Sequence, residues 1–396
     1  MKALRGIAKA AIRAATGLLA RLVPKDERVL FHGSTLSHYN ESARYLYEHF
    51  AKKGDSRAVW ATGSDEVYRH LVKKGLRVVW HRSLSGYWNY LRAGTVVGTG
   101  ISYPDFMGAV GPGTTKVCLW HGAGPRSTNS PDGKVFTSGL EIVGRVQGFD
   151  YFTMTSRYTS MMIGRLQFLL PESKVVTNGF PRCDHLLDRP EMKRRLGSKE
   201  LLRRLLPDTG GADRVILYSP TWRQDWGVSF PLKALPGFDL QELDEFLLSR
   251  GLHLVISRHP IVNASEDLSR CSRISYLPND PLLDINQLLP EVSMLMTDYS
   301  SIMTDFALLD RPLLFVMPDY EEFFFRRGLL EDFREGLPGK EARSMKELLG
   351  MISEGMEEPG RDARLREKFL SRYYDTSITD SCERNYRLIN ERRRGS

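Results

Sequence analysis

Cysteine is scarce in this chain of 396 residues, and its spacing excludes two kinds of site. No two cysteines form a CxxC pair, so neither a zinc ribbon nor a dithiol redox centre is predicted. We expect reduced thiols, as in a cytosolic protein. Cys183 lies inside a motif described below, and a partly buried small residue is a simpler interpretation of it than an activated nucleophile. The four cysteines are Cys118, Cys183, Cys271 and Cys382.

Long apolar runs are also absent, including at the start of the chain. In residues 1–23 apolar side chains recur at helical spacing, but a Lys or Arg interrupts every turn or two. A membrane span needs about 18 uninterrupted apolar residues, and Arg13 breaks the apolar stretch that a secretory signal requires. We therefore predict a basic amphipathic helix over residues 1–24, ended by Pro24, that lies on an anionic membrane surface. Packing against the protein's own body is the alternative.

Several signature motifs are missing. The chain has no GxxxxGK[ST] loop, no GxSxG elbow, no HExxH and no kinase signature, which argues against those enzyme classes. Its net charge of +8 nevertheless favours an anionic partner, such as nucleic acid, anionic lipid or a phosphorylated small molecule. Because no zinc spacing and no basic stripe interleaved with aromatics is present, we expect no nucleic-acid partner.

Short apolar runs alternate with helical stretches along the chain, which is typical of βαβ units and parallel sheets. A chain of this length favours two domains, and the charged stretch 189–211 is interpreted as their connection. We predict domains over residues 25–190 and 200–375, followed by a C-terminal helix and basic tail over 376–396. The predicted strands are 28–33, 57–62, 76–80, 95–98, 116–120 and 174–177, then 214–218, 253–257, 274–277, 292–296 and 313–316.

Polar motifs follow several of these strands, at the edge where open parallel sheets bind ligands. His121 follows 116–120 and precedes a glycine-bearing turn, where backbone N–H groups can approach an anion. Arg182 lies in Asn178–Asp184, a run of turn formers with a guanidinium suited to phosphate. A structural histidine and a solvated interdomain turn are the alternatives.

The second series of strands is followed by three more polar motifs. Residues 218–223 and 257–260 offer hydroxyl, guanidinium and imidazole groups of the kind that a pyrophosphate site uses. Residues 297–306 are predicted to lead into a helix whose amino terminus, at Ser300 and Ser301, holds phosphate or sugar hydroxyls. Plain helix capping by Asp298 or Ser300 is supported equally well by the sequence.

Taken in order, WHG at 120–122, NGFPRCD at 178–184, ILYSPTWR at 216–223, SRHP at 257–260 and TDYSSIMTDFALLDRPLLF at 297–315 resemble the CDP-glycerol glycerophosphotransferases, which include teichoic-acid primases and polymerases and related capsule enzymes. The resemblance covers roughly residues 29–339. It implies a GT-B fold of two Rossmann-like domains facing across a cleft. It also implies a CDP-alditol donor and a lipid-linked glycan or alditol-phosphate acceptor at the cytoplasmic face of the membrane.

The resemblance also implies roles for residues at matching positions. His121 would be the general base that deprotonates the acceptor hydroxyl, and His259 with Arg258 would stabilise charge on the donor diphosphate. Asp305 would accept a hydroxyl rather than approach phosphate, because two anions repel. Donor or substrate contacts are expected at Gly122, Ala123, Gly124, Pro125, Arg182, Pro220, Thr221, Ser257, Arg258, Ser300, Ser301 and Asp305.

No metal site or other cofactor is expected, because positive and hydrogen-bond-donating residues suffice for the phosphoryl group in transfer. Stimulation by a divalent ion carried on the donor diphosphate stays open. One departure from the family pattern concerns residues 121–126, HGAGPR, where the family commonly has HGTPLK and the proline is therefore shifted by one position. Two other functions stay open: a GT-B sugar transferase or epimerase that uses a UDP- or GDP-sugar, and a non-catalytic assembly protein with the same fold.

Overall fold

The computed structural model describes residues 14–100, 109–124, 142–186, 198–205, 214–221, 223, 230–257, 266–332, 334–375 and 379–391. Within these ranges two parallel β-sheets form, one in each half of the chain. Most residues of the central strands are buried, as expected for parallel sheets that helices cover on both faces. In the sequence the strands are therefore short apolar runs rather than stretches in which apolar and polar residues alternate.

The first sheet has seven strands, all paired in parallel, in the order β3-β2-β1-β4-β5-β6-β7. Strand order reverses beside β1, which lies between β2 and β4, and ligands bind outside the carboxyl ends of strands at such a point. The strands are β1 Val29–Phe31, β2 Ala58–Thr62, β3 Val78–Trp80, β4 Thr95–Gly98, β5 Thr115–Cys118, β6 Tyr151–Thr153 and β7 Val175–Val176.

The second sheet repeats this topology with six parallel strands in the order β10-β9-β8-β11-β12-β13. Its order reverses beside β8, so its ligand-binding edge lies at the ends of β8 and β11. The strands are β8 Arg214–Ser219, β9 Leu252–Ile256, β10 Ile274–Tyr276, β11 Val292–Thr297, β12 Leu313–Phe315 and β13 Lys340–Glu341.

Helices connect the strands and often begin at a residue whose side chain caps the first turn. Ser64, Asp239 and Ser344 each accept a hydrogen bond from a first-turn N–H group. The helices are α1 14–22, α2 Glu41–Lys52, α3 Asp65–Lys73, α4 Leu84–Arg92, α5 142–147, α6 Arg157–Thr159 continuing as a π-helix over Ser160–Gln167, α7 Ser198–Leu205, α8 Leu240–Ser249, α9 Ile302–Ala307, α10 Tyr320–Arg327, α11 Met345–Glu357, α12 Ala363–Tyr373 and α13 Ser381–Glu391.

The last helix returns to the first half of the molecule. The ring of Tyr386 on α13 packs edge-on against Phe50 of α2, with 4.6 Å between centroids. Glu383 accepts hydrogen bonds or ion pairs from His49 at 3.0 Å and Lys53 at 2.9 Å. Helix α13 therefore covers the first sheet, although it follows the second sheet in sequence.

The fold class expected from the sequence, two parallel-sheet α/β units of GT-B type, is confirmed. Strands β6 and β13 were not predicted, because with three and two residues they carry too little pattern. The predicted strand at 174–177 is shorter, since a 3-10 turn, Glu172–Lys174, precedes β7.

The predicted N-terminal helix lies partly outside the described residues. The described part of α1 covers residues 14–22, and Ala20 is fully buried against Gly111. Leu18 and Leu22 of the same helix are 60% and 72% exposed. No helix in the described ranges has the length and apolar character of a membrane span. The amphipathic membrane helix over 1–24 stays a prediction.

Candidate functional site

A cavity of about 340 Å³ lies between the two sheets, at the carboxyl ends of their central strands. This volume lies within the range of small-molecule sites. Residues from the predicted motifs of both halves line it together, so the expected cleft is present. The predicted site residues in its wall are His121, Gly122, Gly124, Arg182, Pro220, Thr221, Ser257, Ser300, Ser301 and Asp305.

His121 is positioned by a strained turn after β5. The preceding residue, Trp120, has a left-handed backbone (φ 48°), which is rare for a bulky side chain. Its buried ring packs against Phe152 and Phe168 and fixes that conformation. The His121 Nδ1–H donates to the Thr99 carbonyl at 3.2 Å. In the neutral ring Nε2 therefore carries the lone pair, as a general base requires.

The turn after His121 touches the opposite half of the protein. A Cβ atom on Gly122 would lie 2.5 Å from the Ser301 Oγ, and one on Gly124 would lie 2.9 Å from the Ser301 Cα. Only glycine permits so close an approach. Ala123 is fully buried in the core and is not among the residues of the cavity wall, and the expected substrate contact there stays a prediction. Pro125 lies outside the described residues.

Two loops of the second sheet are held together by a buried ion cluster. The Asp298 carboxylate accepts backbone N–H bonds from Thr221 at 2.8 Å and Tyr299 at 2.6 Å. Arg223 donates to Asp298 at 2.5 Å and, through two nitrogens, to Asp319 at 2.7 and 2.9 Å. The side chains of Arg223 and Asp298 are 0% exposed. This cluster fixes the loop after β8 against the loop after β11.

Ser300 and Ser301 lie at the start of α9, in the cavity wall. Ser301 occupies the N-cap position without forming a side-chain cap, and the Asp298 carboxylate is engaged by the neighbouring loop. The sequence left open a plain cap at Asp298 or Ser300, whereas the structure places the N-cap at Ser301 and leaves that position without a side-chain cap. The hydroxyl-bearing side chains face a space that a ligand can fill.

Arg182 has partners other than the expected phosphate. It is 1% exposed, and its Nε and Nη2 donate to the two carboxylate oxygens of Asp305 at 2.7 and 3.3 Å. Its guanidinium also stacks over Phe180 at 4.4 Å. Because a buried charge needs a partner, Arg182 and Asp305 neutralise each other across the two halves. Burial and Asp305 raise the pKa of Cys183, so this fully buried thiol is no nucleophile.

The same motif also anchors the end of the chain. Asp184 accepts hydrogen bonds from the backbone N–H groups of Ser381 and Cys382, both at 2.8 Å. A carboxylate at a helix amino terminus satisfies free N–H groups and the positive end of the helix dipole. The NGFPRCD motif therefore joins the cavity, through Arg182, to the first turn of α13, through Asp184.

Glu41 was missed by the sequence analysis, because a single Glu before a predicted helix carries no special pattern. It lies in the cavity wall with a left-handed backbone (φ 63°). Its N–H donates to Asp284 at 2.6 Å, and its Oε2 lies 3.3 Å from Arg182 Nη1. Burial, opposed by Arg182 and reinforced by Asp284 and Asp305, raises the pKa of Glu41 to about 7.

Two predicted residues, Arg258 and His259, lie outside the described residues, and Ser257, which precedes them in sequence, lies in the cavity wall. Among the residues that the structure describes, no group of three His, Cys, Asp or Glu is arranged to hold a metal ion. The described site is therefore built from one imidazole, several hydroxyls and an ion cluster in which Arg182 pairs with the carboxylates of Glu41 and Asp305.

Known proteins resemble this chain over most of its length. A teichoic acid poly(glycerol phosphate) polymerase of Bacillus spizizenii is 25% identical over 357 residues, which are 84% of each chain. A teichoic acid glycerol-phosphate transferase of Staphylococcus aureus is 24% identical over 85% of this chain and 86% of its own. A structure of the wall teichoic acid polymerase TagF, determined after a soak with CDPG, has a TM-score of 0.76 and 21% identity and covers 98% of this chain and 96% of its own.

The family model for CDP-Glycerol:Poly(glycerophosphate) glycerophosphotransferase matches residues 16–391. That range includes both sheets, the cavity and the returning helix α13. It also includes all five motifs on which the sequence resemblance rests, so the resemblance is confirmed. The chain belongs to the CDP-glycerol:poly(glycerophosphate) glycerophosphotransferase family of enzymes.

Proposed function

We propose that this enzyme transfers glycerol phosphate, or a related alditol phosphate, from a CDP-alditol donor to a lipid-linked glycan or alditol-phosphate acceptor, and releases CMP. The product is a teichoic-acid-like or capsule polymer. The observation that carries this proposal is the shared cavity, in which His121 faces the hydroxyl-rich loops of the second sheet. The named relatives, which act in teichoic acid synthesis, support it.

In the proposed reaction an acceptor hydroxyl attacks the phosphorus that bears the alditol. The new O–P bond forms as the bond to CMP breaks, the hydroxyl proton passes to His121 Nε2, and CMP leaves with the electron pair of the broken bond. The Thr99 carbonyl, 3.2 Å from Nδ1, holds the ring in the tautomer that accepts this proton and stabilises the imidazolium that results.

The donor diphosphate is assigned to the second half of the protein. Thr221, Ser257, Ser300 and Ser301 line that side of the cavity and bring hydroxyl donors to it, and Pro220 shapes the loop after β8. Arg258 and His259, adjacent in sequence to Ser257, supply positive charge in this proposal. The proposal requires no metal ion, and a divalent ion that stimulates the reaction would arrive with the diphosphate.

We place the protein on the cytoplasmic face of the cell membrane as a peripheral enzyme. In α1, Leu18, Leu19 and Leu22 are 60%, 46% and 72% exposed, whereas Ala20 docks the helix onto the first half. Residues 1–24 of the sequence carry five positive charges, at Lys2, Arg5, Lys9, Arg13 and Arg21. Exposed leucines combined with positive charge favour an anionic lipid surface.

The test measures CMP release by the purified full chain, with a membrane-lipid extract, from CDP-glycerol and CDP-ribitol. UDP-N-acetylglucosamine serves as the competing donor. We expect CMP from one CDP-alditol and a loss of at least about 100-fold in His121→Ala, the size expected for a general base. His70→Ala, which removes a histidine of α3 outside the cavity wall, should keep full activity.

Two outcomes contradict the proposal. If folded wild-type protein releases no CMP from either CDP-alditol, the donor class is wrong. If His121→Ala keeps the wild-type rate, CMP release does not depend on the proposed base.

A further inference from the structure

Glu41 lies in the cavity wall, and the mechanism above gives it no role. It opens α2 with a φ of 63°, a conformation that costs a non-glycine residue roughly 1 kcal/mol or more. The Asp284 carboxylate fixes this backbone by accepting the Glu41 N–H at 2.6 Å. The first half of the chain thus holds Glu41 in a strained backbone conformation, and the second half locks it there.

The charges around Glu41 are unbalanced. The Glu41 carboxylate interacts with one guanidinium, that of Arg182, and with two further carboxylates, those of Asp284 and Asp305. Asp305 takes two nitrogens of Arg182, and Asp284 accepts backbone N–H groups of Glu41 and Asn286. Both therefore have hydrogen-bond donors of their own.

The carboxylate of Glu41 lacks such a donor. Its Oε2 lies 3.3 Å from Arg182 Nη1, but this buried oxygen accepts no hydrogen bond. A buried carboxylate oxygen without a donor is costly, and the cavity that it borders is where a donor can arrive. An anionic ligand group is disfavoured there by the carboxylate excess, whereas a hydroxyl group satisfies the oxygen without adding charge.

We propose that Glu41 binds a hydroxyl of an alditol chain in this cavity and accepts its hydrogen bond through the side-chain carboxylate. This inference rests on the proposed function, because the alditol is the hydroxyl-bearing part of both substrates. The hydroxyl belongs either to the alditol of the donor or to the terminal alditol of the acceptor. In both cases Glu41 selects for a polyol at the reacting end.

The experiment compares Glu41→Gly and Glu41→Gln with the wild type, with CDP-glycerol and with CDP-propanol, which lacks both free hydroxyls of the glycerol. Glycine suits a φ of 63° and relieves the strain, so Glu41→Gly should unfold at the same temperature as the wild type or higher. Its kcat/KM with CDP-glycerol should nevertheless fall about 10- to 100-fold, as expected for losing a hydrogen bond to a charged group. Glu41→Gln keeps an acceptor oxygen and should lose about 10-fold or less.

Leu169→Gly is the matched control. Leu169 also has a left-handed backbone, with φ 53°, but its side chain is 65% exposed and lies outside the cavity wall. Glycine there gives the same backbone relief without removing a hydroxyl acceptor. We expect a raised unfolding temperature and wild-type kcat/KM.

The two sources of the hydroxyl give different results. If it belongs to the donor, the loss in Glu41→Gly appears with CDP-glycerol and vanishes with CDP-propanol. If it belongs to the acceptor, the loss appears with both donors as a raised KM for the acceptor. The inference is overturned if the wild type is active and both Glu41 variants have the same kcat/KM as the wild type. It is also overturned if Glu41→Gly loses kcat/KM with both donors while its KM for the acceptor is unchanged. Failure of the proposed function is distinct, because the wild type itself would then release no CMP.

Discussion

Two buried arginines, Arg223 and Arg182, hold the loops around the cavity in different ways. Arg223 lies within the second half and joins Asp298 to Asp319, with side chains that are 0% and 15% exposed. Arg182 joins the two halves through Asp305 and lies in the cavity wall. The same chemical group therefore rigidifies one half and connects both.

The difference lies in how completely each cluster is satisfied. Arg223 donates to Asp298, to Asp319 and, at 2.6 Å, to the Thr221 carbonyl, and Asp298 also receives two backbone N–H bonds. Around Arg182 one carboxylate, that of Glu41, keeps an oxygen without a hydrogen bond. A cluster whose buried groups all form hydrogen bonds favours one fixed loop structure. A cluster next to a cavity that leaves one oxygen without a hydrogen bond offers that oxygen to a ligand.

The largest expected effect is that of Arg223→Met on stability. Removing the guanidinium leaves two carboxylates facing each other in the core, and breaking a buried pair costs about 3 to 5 kcal/mol. The free energy of unfolding, measured by urea denaturation, should fall by that amount. Arg223→Lys, which keeps the charge but bonds at one point, should lose less. If the free energy of unfolding of Arg223→Met falls by less than about 1 kcal/mol, the ion pairs of Arg223 contribute no more than exposed surface pairs do.

Arg182→Met should lose less stability than Arg223→Met, and it should also lose activity. We expect a loss of about 1 to 3 kcal/mol in unfolding free energy, because water in the cavity reaches the abandoned carboxylates of Glu41 and Asp305. The kcat/KM for CMP release should fall at least about 10-fold, since Asp305 and the cavity wall lose their bridge across the halves. Equal stability losses in Arg182→Met and Arg223→Met would remove the distinction between the two clusters.

The smallest effect concerns pH. The charged and titratable groups that face Glu41 are Arg182, Asp284, Asp305 and Tyr45. Because the pKa of Glu41 is raised to about 7, the folded protein keeps a proton that the unfolded chain releases near its ordinary pKa of about 4.3. Wild-type stability is therefore lost as pH rises through this interval.

Glu41→Gln removes this titration while keeping the shape of the side chain. The difference in unfolding free energy between the variant and the wild type should shift in favour of the variant by about 1 to 3 kcal/mol between about pH 5 and about pH 8. Urea denaturation at both pH values measures it. A pH-independent difference would show that Glu41 has an ordinary pKa in the folded protein.

The fold was largely predictable because the strands of a covered parallel sheet are apolar throughout. Runs such as 214–218 and 292–296 coincide with β8 and β11. The positions of His121 and Ser300 were predictable for the same reason, since both follow such a strand. Pairing across the halves was not predictable: the Arg182–Asp305 bond joins residues that are 123 positions apart. The left-handed backbone of Glu41 likewise depends on Asp284, 243 positions away.

The return of α13 to the first sheet means that the chain crosses between the halves twice. One crossing follows Asp184 and the other precedes Ser381, and the Asp184 carboxylate bonds the Ser381 N–H group. This hydrogen bond ties the start of the returning helix to the last described motif of the first half, so both passages of the chain lie at one point of the molecule.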